Sequence, residues 1–285
     1  MRLALIANPG SGGGLDAGAL AELLLDAGAR SVDAYHPRDL DSVRAAVPDR
    51  LVAAGGDGTI GRCAAMAGRV DVPLALIPAG TANDFARAQR LPTDPREAAR
   101  LAVTGTHLRR LELGWLSGGT PFVNVASLGL ASVAAQRAAT LKTRLGPLAY
   151  GVGALRAAAE EHPITVAIVV DGAPAFHGDV WQVIVAAGGH FGAGSRVDVA
   201  NPRDGELDVA VIPAGSRLGL AWRALGMRTG GLARQRGVTH VRGCEVELHL
   251  PPGTDLNVDG EVVRAAEPER ITARAGAFAL VAPDR

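Results

Sequence analysis

Residues 51–60, LVAAGGDGTI, constrain the fold of this chain more than any other stretch. Four apolar residues lead into three glycines that surround a single carboxylate, Asp57, and the hydroxyl of Thr59 follows. A buried strand that breaks into glycine and then begins a helix places backbone N–H groups where a phosphate can bind. Asp57 adds an oxygen ligand suited to the magnesium ion that accompanies nucleotide phosphates. The alternative is a tight strand-to-helix turn that binds nothing.

The first hundred residues alternate between strand patterns and helix patterns. We predict strands at residues 3–7, 31–35, 51–54 and 74–77, and helices at residues 15–29, 39–47, 60–67 and 95–103, with another helix opening after the glycine turn at residues 80–84. This alternation predicts a parallel sheet with helices on both faces. In such sheets, ligands bind at the carboxyl ends of the strands.

Three of the predicted strands end in unusual turns, at residues 8–14, 55–59 and 80–84. All three turns lie on the same edge of a parallel sheet, so they can converge on one ligand. The first turn is not a Walker A loop, because no Gly-Lys-Ser/Thr follows it. It also lacks the register of the dinucleotide fingerprint Gly-x-Gly-x-x-Gly.

The three turns carry a family resemblance. NPGSG at residues 8–12, GGDGT at residues 55–59 and GTANDFA at residues 80–86, in this order, resemble the catalytic domain of the diacylglycerol kinase family. Bacterial lipid kinases share that domain with sphingosine and ceramide kinases, whereas GGDG alone also occurs in NAD kinases and phosphofructokinases. Family members typically continue with Asn and Glu, where this chain has Gly61 and Arg62.

The resemblance implies that ATP binds to the three turns, with His36 contributing from the end of the second strand. The implied nucleotide-binding residues are Asn8, Pro9, Gly10, Ser11, Gly12, His36, Gly55, Gly56, Asp57, Gly58, Thr59, Thr81 and Asn83. Magnesium would be positioned by Asp57 and Asp84.

The pattern changes after residue 111. Strands are predicted near residue 123 and at residues 164–170, 180–187, 207–212, 246–250 and 278–281, interrupted by helices at residues 148–160 and 218–227. We therefore predict an α/β plus mainly-β protein: a parallel-sheet α/β domain that resembles those of NAD kinase and phosphofructokinase, followed by an antiparallel β-sandwich domain. The nucleotide-binding domain would span residues 1–115 and the β-rich lipid-acceptor domain residues 116–275. By resemblance, the tail at about residues 276–285 packs back onto the first domain.

Two acidic motifs mark the second half. NPRDGELD at residues 201–208 resembles the loop in which bacterial family members hold a structural magnesium ion. The resemblance implies that the Asp204 side chain would bind this ion together with the backbone carbonyls of Asn201 and Glu206. The alternative is an Asp-Gly hairpin turn without metal, and both interpretations stay open.

NVDGE at residues 257–261 matches the family's Asp-Gly-Glu, whose glutamate is implicated as the proton acceptor. Its alternative is a hairpin turn with solvated carboxylates. Beside three phosphate-binding turns, Glu261 is the first candidate for the catalytic base, and Asp57 is the second.

Composition limits the partners and the location. Lysine plus arginine (29) equals aspartate plus glutamate (29), so charge gives no reason to expect a nucleic acid partner. Cys63 and Cys244 fit no metal or disulfide pattern, which is consistent with a reducing cytoplasm. No apolar run approaches the ~20 residues of a membrane span. We expect a cytoplasmic protein whose membrane contact, if any, is peripheral at the inner face.

Basic residues recur between Asp208 and Glu245 without any acidic residue; they are Arg217, Arg223, Arg228, Arg234, Arg236 and Arg242. A helix that packs on the core with a solvated basic face explains the pattern. A surface that rests on anionic lipid headgroups explains it as well.

The resulting hypothesis is an ATP- and magnesium-dependent lipid kinase, with Glu261, Asp57 and Asp84 as catalytic residues. It would transfer the γ-phosphate to the primary hydroxyl of a membrane lipid such as diacylglycerol. Two alternatives stay open: a soluble-substrate kinase that resembles NAD kinase, and a nucleotide-binding regulator that has lost catalysis, which the replacements at Gly61 and Arg62 motivate. A homodimer is also left open.

Overall fold

The structure is a computed structural model, and it describes residues 1–7, 16–80, 83–129, 162–188, 190–191, 195–196, 201–216, 235 and 237–284. Its first half contains four parallel strands: β1 (Arg2–Ala7), β2 (Ser31–Tyr35), β3 (Arg50–Gly55) and β4 (Leu74–Pro78). They lie in the order β2-β1-β3-β4, with Leu5 of β1 opposite Val52 of β3. The carboxyl ends of these strands therefore meet at one edge of the sheet.

Helices cover both faces of this sheet. They are α1 (Ala17–Asp26), a 3-10 helix (Pro37–Ser42), α2 (Val43–Ala46), α3 (Asp57–Arg69), α4 (Asp84–Ala88) and α5 (Pro95–Thr104). Because side chains alternate along a strand, Leu3 and Leu5 pack under α1 and α5, whereas Ala4 and Ile6 pack under α3.

Local sequence signals set the limits of several helices. Asp16 caps α1 by accepting the Ala19 N–H at 2.7 Å, and Asp94 caps α5 with Pro95 as the first helical residue. The helix predicted at residues 39–47 is instead a 3-10 helix followed by α2, because Pro37 begins the turn early and Asp39 has non-helical dihedral angles.

The second half is built from antiparallel strands. They are β5 (Leu108–Leu116), β6 (Pro121–Phe122), β7 (Val125–Gly129), β8 (Ile164–Val170), β9 (Ala173–Ala186), β10 (His190–Phe191), β11 (Ser195–Arg196), β12 (Leu207–Pro213), β13 (Thr239–Gly243), β14 (Glu245–His249), β15 (Asp255–Val258), β16 (Glu261–Arg264) and β17 (Glu269–Val281). The predicted change from parallel to antiparallel pairing is confirmed. The helices predicted at residues 148–160 and 218–227 lie outside the described residues.

Strand β17 connects the two halves. It pairs antiparallel with β5 and β14. Near its end it also reaches β4, where Leu280 pairs in parallel with Leu74. Phe278 and Leu280 are buried in the same hydrophobic cluster as α3. The limits of the two domains, at residues 115 and 275, stay a prediction.

Within the residues that the structure covers, no helix is both long enough and apolar enough to cross a membrane.

Candidate active site

The turn after β3 begins the site. Gly56 has an extended conformation and is the N-cap residue of α3. It has no side chain, so it makes no capping hydrogen bond to the first amides of the helix. A Cβ atom on Gly55 would lie 3.0 Å from the Thr59 Oγ1, so the threonine folds back tightly over the turn. Amides of the first turn of a helix bind anions when no side chain caps them, which fits the predicted role of this turn.

The turn after β4 touches the turn after β3. A Cβ atom on Gly80 would lie 2.6 Å from the Cα of Gly56, so the two backbones approach as closely as only glycine allows. Asn83 holds this second turn in shape: its side-chain Oδ1 accepts the Gly80 N–H and its Nδ2 donates to the Gly80 carbonyl, both at 2.9 Å. Two of the three predicted turns are therefore neighbours at the sheet edge.

The Asp57 carboxylate lies at the start of α4. It accepts the backbone N–H groups of Asp84 and Phe85, each at 3.2 Å, and a hydrogen bond from the Asn124 side chain. Burial raises the pKa of Asp57, and the nearby charge of Asp84 adds to that increase, while the three hydrogen bonds oppose it. Asp84 is itself buried at the first position of α4. The two predicted acidic residues therefore lie together.

Asn124 links Asp57 to the second half of the chain. It is 3% exposed, its backbone carbonyl accepts the N–H groups of Ala187 and Gly188 at 3.0 Å, and its backbone N–H donates to Asp259. With its backbone held in this way, the side-chain amide is directed at Asp57. In the sequence, Phe122-Val123-Asn124 also matches the family, but no role was predicted for this asparagine.

Asp259 fixes the loop around Asn124. Its carboxylate accepts the N–H groups of Val123 at 2.7 Å, Asn124 at 3.1 Å and Val125 at 3.0 Å. Burial raises the pKa of Asp259 to about 7, although these hydrogen bonds act in the opposite direction. Asp259 and Gly260 form the tight turn of the β15–β16 hairpin, where both residues have positive φ angles of 47° and 91°.

Glu261 is the first residue after that turn. Its carboxylate lies directly against the turn after β3, because a Cβ atom on Gly58 would be 2.6 Å from the Glu261 Oε1. Glu261 is exposed, so an acceptor molecule can approach it from solvent. The carboxylate from the second half and the glycine turn from the first half thus share one site.

The remaining predicted residues lie at different places. His36 follows β2 as the N-cap of the 3-10 helix and is exposed, with its Nδ1 accepting the Arg38 N–H at 3.1 Å. Beside it, the Arg62 guanidinium donates to the Pro37 carbonyl at 3.2 Å. Asn8, Pro9, Gly10, Ser11, Gly12 and Thr81 lie outside the described residues.

Gly61 has a structural reason to be glycine. A Cβ atom at this position of α3 would lie 2.9 Å from the Pro121 carbonyl oxygen of β6. We expect Gly61→Ala to lower the free energy of unfolding by about 1–2 kcal/mol, even though alanine favours helix by ~1 kcal/mol. Urea unfolding of both proteins measures the difference. Equal or greater stability of the variant would show that α3 and β6 can separate without loss.

The loop at residues 201–206 lies against β5 and not at the site around Asp57. Glu112 of β5, only 2% exposed, accepts the Gly205 N–H at 2.7 Å, and its own N–H donates to the Pro202 carbonyl at 3.0 Å. Among the residues that the structure describes, no three His, Cys, Asp or Glu side chains converge as a metal site.

Burial raises the pKa of Glu112 from 4.5 to about 7. The folded protein then binds a proton at Glu112 that the unfolded chain has released, so the contribution of Glu112 to stability is greatest below pH 4.5 and declines as the pH rises to 7. We expect Glu112→Gln to remove this decline, a difference of at most about 3 kcal/mol between pH 5 and pH 8. Urea unfolding at both pH values tests it, with the exposed Glu22→Gln as the control that keeps the wild-type dependence.

Two protein families, taken together, and several relatives match this chain over most of its length. The diacylglycerol kinase catalytic domain family matches residues 2–116, and the YegS C-terminal NAD kinase beta sandwich-like domain family matches residues 124–282. A relative named probable lipid kinase YegS-like, from Pseudomonas fluorescens, is 35% identical over 241 residues, which cover 82% of this chain and 78% of the relative.

Solved structures show the same fold. The structure of a diacylglycerol kinase from Bacillus anthracis str. Sterne has a TM-score of 0.78 at 22% identity, covering 99% of this chain and 97% of the other. An NAD kinase from Archaeoglobus fulgidus, solved in complex with ATP, has a TM-score of 0.54 at 17% identity, covering 99% of this chain and 93% of the other. The chain therefore belongs to the diacylglycerol kinase catalytic-domain family and, with its YegS-type C-terminal domain, to the lipid kinases within it.

Proposed function

We propose that this lipid kinase uses ATP and magnesium to phosphorylate the primary hydroxyl of a membrane lipid such as diacylglycerol. The observation that carries the proposal is the contact of Glu261 with Gly58, because it brings a carboxylate to an uncapped glycine turn. A base beside a phosphate-binding turn is the arrangement that alcohol phosphorylation requires.

The residues at the sheet edge fit a nucleotide with its metal ion. Gly80 and Gly56 are in contact and have no side chains, so two backbone segments are exposed together where the phosphates would lie. Asp57 has about four acceptor positions and uses three of them for protein hydrogen bonds, so one position is left for magnesium. ATP would supply the phosphoryl group, and magnesium would offset its charge.

Glu261 would act on the acceptor. Its carboxylate takes the proton from the lipid hydroxyl as the hydroxyl oxygen bonds to the γ-phosphorus and the bond to the β-phosphate oxygen breaks. The half-buried Asp57, held by two amides of α4 and by Asn124, would keep the metal position fixed during this step. Positioning and charge compensation supply most of the rate in such transfers.

Transfer of labelled phosphate from ATP tests the proposal. Three acceptors would be compared: phosphatidylglycerol vesicles with roughly 5–10% diacylglycerol, the same vesicles without diacylglycerol, and NAD in solution. We expect labelled phosphatidic acid with wild type and its loss in Asp57→Asn, while the exposed control Asp26→Asn stays active. Labelled NADP would instead favour the soluble-substrate alternative. Nucleotide binding without any labelled product would favour the regulator.

Partner and location belong to the same proposal. A lipid acceptor requires contact with a membrane surface, which we place at its cytoplasmic face. Of the arginines that suggested a lipid-binding surface, Arg217, Arg223, Arg228, Arg234 and Arg236 lie outside the described residues. Arg242 is engaged with acidic side chains of its own chain. Co-sedimentation with anionic and with neutral vesicles measures whether the other arginines of this stretch contribute to membrane binding.

A further inference from the structure

The loop at residues 201–206 has its expected metal ligands already occupied. The Asn201 carbonyl oxygen accepts the N–H groups of Arg203 at 2.7 Å and of Asp204 at 3.5 Å. The Asp204 Oδ1 accepts the Glu206 N–H at 3.2 Å. A carbonyl oxygen has two lone pairs, so Asn201 has none left for a cation in this conformation. Of the implied ligands, the Asn201 carbonyl therefore does not fit a bound magnesium ion in this conformation, and Asp204 already accepts hydrogen bonds at both carboxylate oxygens.

An arginine lies at the centre of the same loop. The Arg242 guanidinium donates a hydrogen bond to the Asp204 Oδ2 and contacts Glu206 at 2.8 Å. Its Nε lies 3.6 Å from the Oδ1 of the fully buried Asp208. Three carboxylates thus surround one guanidinium.

The strand register brings Arg242 to this position. Arg242 of β13 is directly opposite Asp208 of β12, and residues directly opposite each other in an antiparallel pair have neighbouring side chains. Asp204 and Glu206 immediately precede β12, so the loop turns back over the arginine. The placement follows from pairing between two strands and needs no ligand.

We propose that Arg242 supplies the positive charge that a structural magnesium ion would bring, so that this loop is held without metal. The planar guanidinium can donate in several directions at once, which suits three carboxylates better than a point charge. Two buried oxygens nearby, Oε1 of Glu112 and Oδ2 of Asp208, have no hydrogen-bond partner among the described residues. A cation that competes with Arg242 for these carboxylates would bind at those two oxygens.

Thermal unfolding without nucleotide tests the proposal on the intact protein. Wild type should unfold at the same temperature, within about 1 °C, in EDTA and in 5 mM MgCl2. Arg242→Gln should unfold about 3–6 °C lower in EDTA, because Asp204 and Glu206 lose their cation and the buried Asp208 keeps only His240, whose Nε2 lies 2.7 Å from its Oδ1. Magnesium should restore part of that loss, because the carboxylates are then free to bind it, and should restore none in the double variant Arg242→Gln with Asp204→Asn.

A matched control separates this effect from the loss of any arginine. Arg270 of β17 also contacts two carboxylates, Glu245 at 3.3 Å and Glu247 at 2.9 Å, but on an exposed strand. Arg270→Gln should lower the unfolding temperature by 2 °C at most and show no response to magnesium.

Two results would overturn the proposal. The first is stabilisation of wild type by magnesium that disappears in Asp204→Asn, because the metal would then coexist with Arg242. The second is binding of Mn2+ to nucleotide-free wild type, followed by electron paramagnetic resonance, that Asp204→Asn abolishes. Both use proteins that keep Arg242, so they decide the question even if Arg242→Gln does not fold. Neither depends on kinase activity, so failure of the proposed function leaves this inference standing.

Discussion

Glu261→Gln is expected to lower kcat for lipid phosphorylation by about 10²-fold to 10⁴-fold, the range that a general base contributes. Glutamine keeps the size of the side chain beside Gly58 but cannot accept the proton of the acceptor hydroxyl. The KM for ATP should change by less than about threefold, because the glycine turns that would hold the nucleotide are untouched. Initial rates of labelled phosphate transfer at saturating lipid measure both constants.

The control is Glu245→Gln, which removes an exposed carboxylate of β14 that pairs with Arg270. It should retain the wild-type rate and unfold close to the wild-type temperature. If Glu261→Gln keeps its activity, Glu261 is not the base, and Asp57 is left as the candidate. Asp57 is the weaker candidate in the structure, because two amides and the Asn124 side chain already bind its carboxylate.

Gly68→Ala should destabilise the folded protein strongly. Gly68 lies in α3 where the helix crosses β17, and a Cβ atom there would be 1.9 Å from the Ala277 carbonyl oxygen and 3.1 Å from its carbon. The obstructing atoms belong to the backbone and not to the end of a flexible side chain, so α3 or the stretch of β17 between Arg274 and Phe278 has to shift. We expect a loss of roughly 3 kcal/mol, which lowers the unfolding temperature by about 6 °C or more.

The matched control is Gly18→Ala, the same change in the exposed first turn of α1. There a Cβ atom would approach only the flexible Asp16 side chain, at 3.3 Å. Its unfolding temperature should stay the same or rise slightly, because alanine favours helix over glycine. An unfolding temperature of Gly68→Ala within 1 °C of wild type would show that α3 and β17 do not pack as closely as the structure places them.

The parallel half of the fold could be predicted because its signals are local. Strand β2 was predicted at residues 31–35, as observed, and β1, β3 and β4 within one residue at each end. Strands β1, β3 and β4 are short, mostly apolar runs that end in turn signals, so they can be recognised without knowing their distant partners. The mixed architecture followed from the change in pattern after residue 111.

Strand β17 shows why the other half was harder to predict. Only residues 278–281 of its thirteen were predicted, because its middle, around Arg274 and Gly276, is exposed and lacks apolar alternation. A shift of register between Arg274 and Phe278 interrupts the pairing there. Its identity as a strand depends on pairing with β5 and β14, and such distant partners leave no local signal.

Some residues of the site also have a local sequence signal, and others do not. Glycine turns and the Asp-Gly-Glu motif are visible in the sequence, so Asp57 and Glu261 could be named. Asp259 lies in that motif, but its role and that of Glu112, which both accept backbone N–H groups from residues far along the chain, could not be predicted from spacing. The same holds for Asn124, whose side chain reaches Asp57 in the first half. The place of Arg242 depends on the register of β12 with β13, and no sequence pattern fixed that register.

A crystal structure with magnesium and a non-hydrolysable ATP analogue would show whether the two halves of the chain form one site, in which Glu261 faces phosphates held at the turn after β3. The γ-phosphate should lie within about 6 Å of the Glu261 carboxylate, which leaves room for one acceptor hydroxyl between them. A triphosphate bound elsewhere, or a Glu261 turned away from it, would contradict the account.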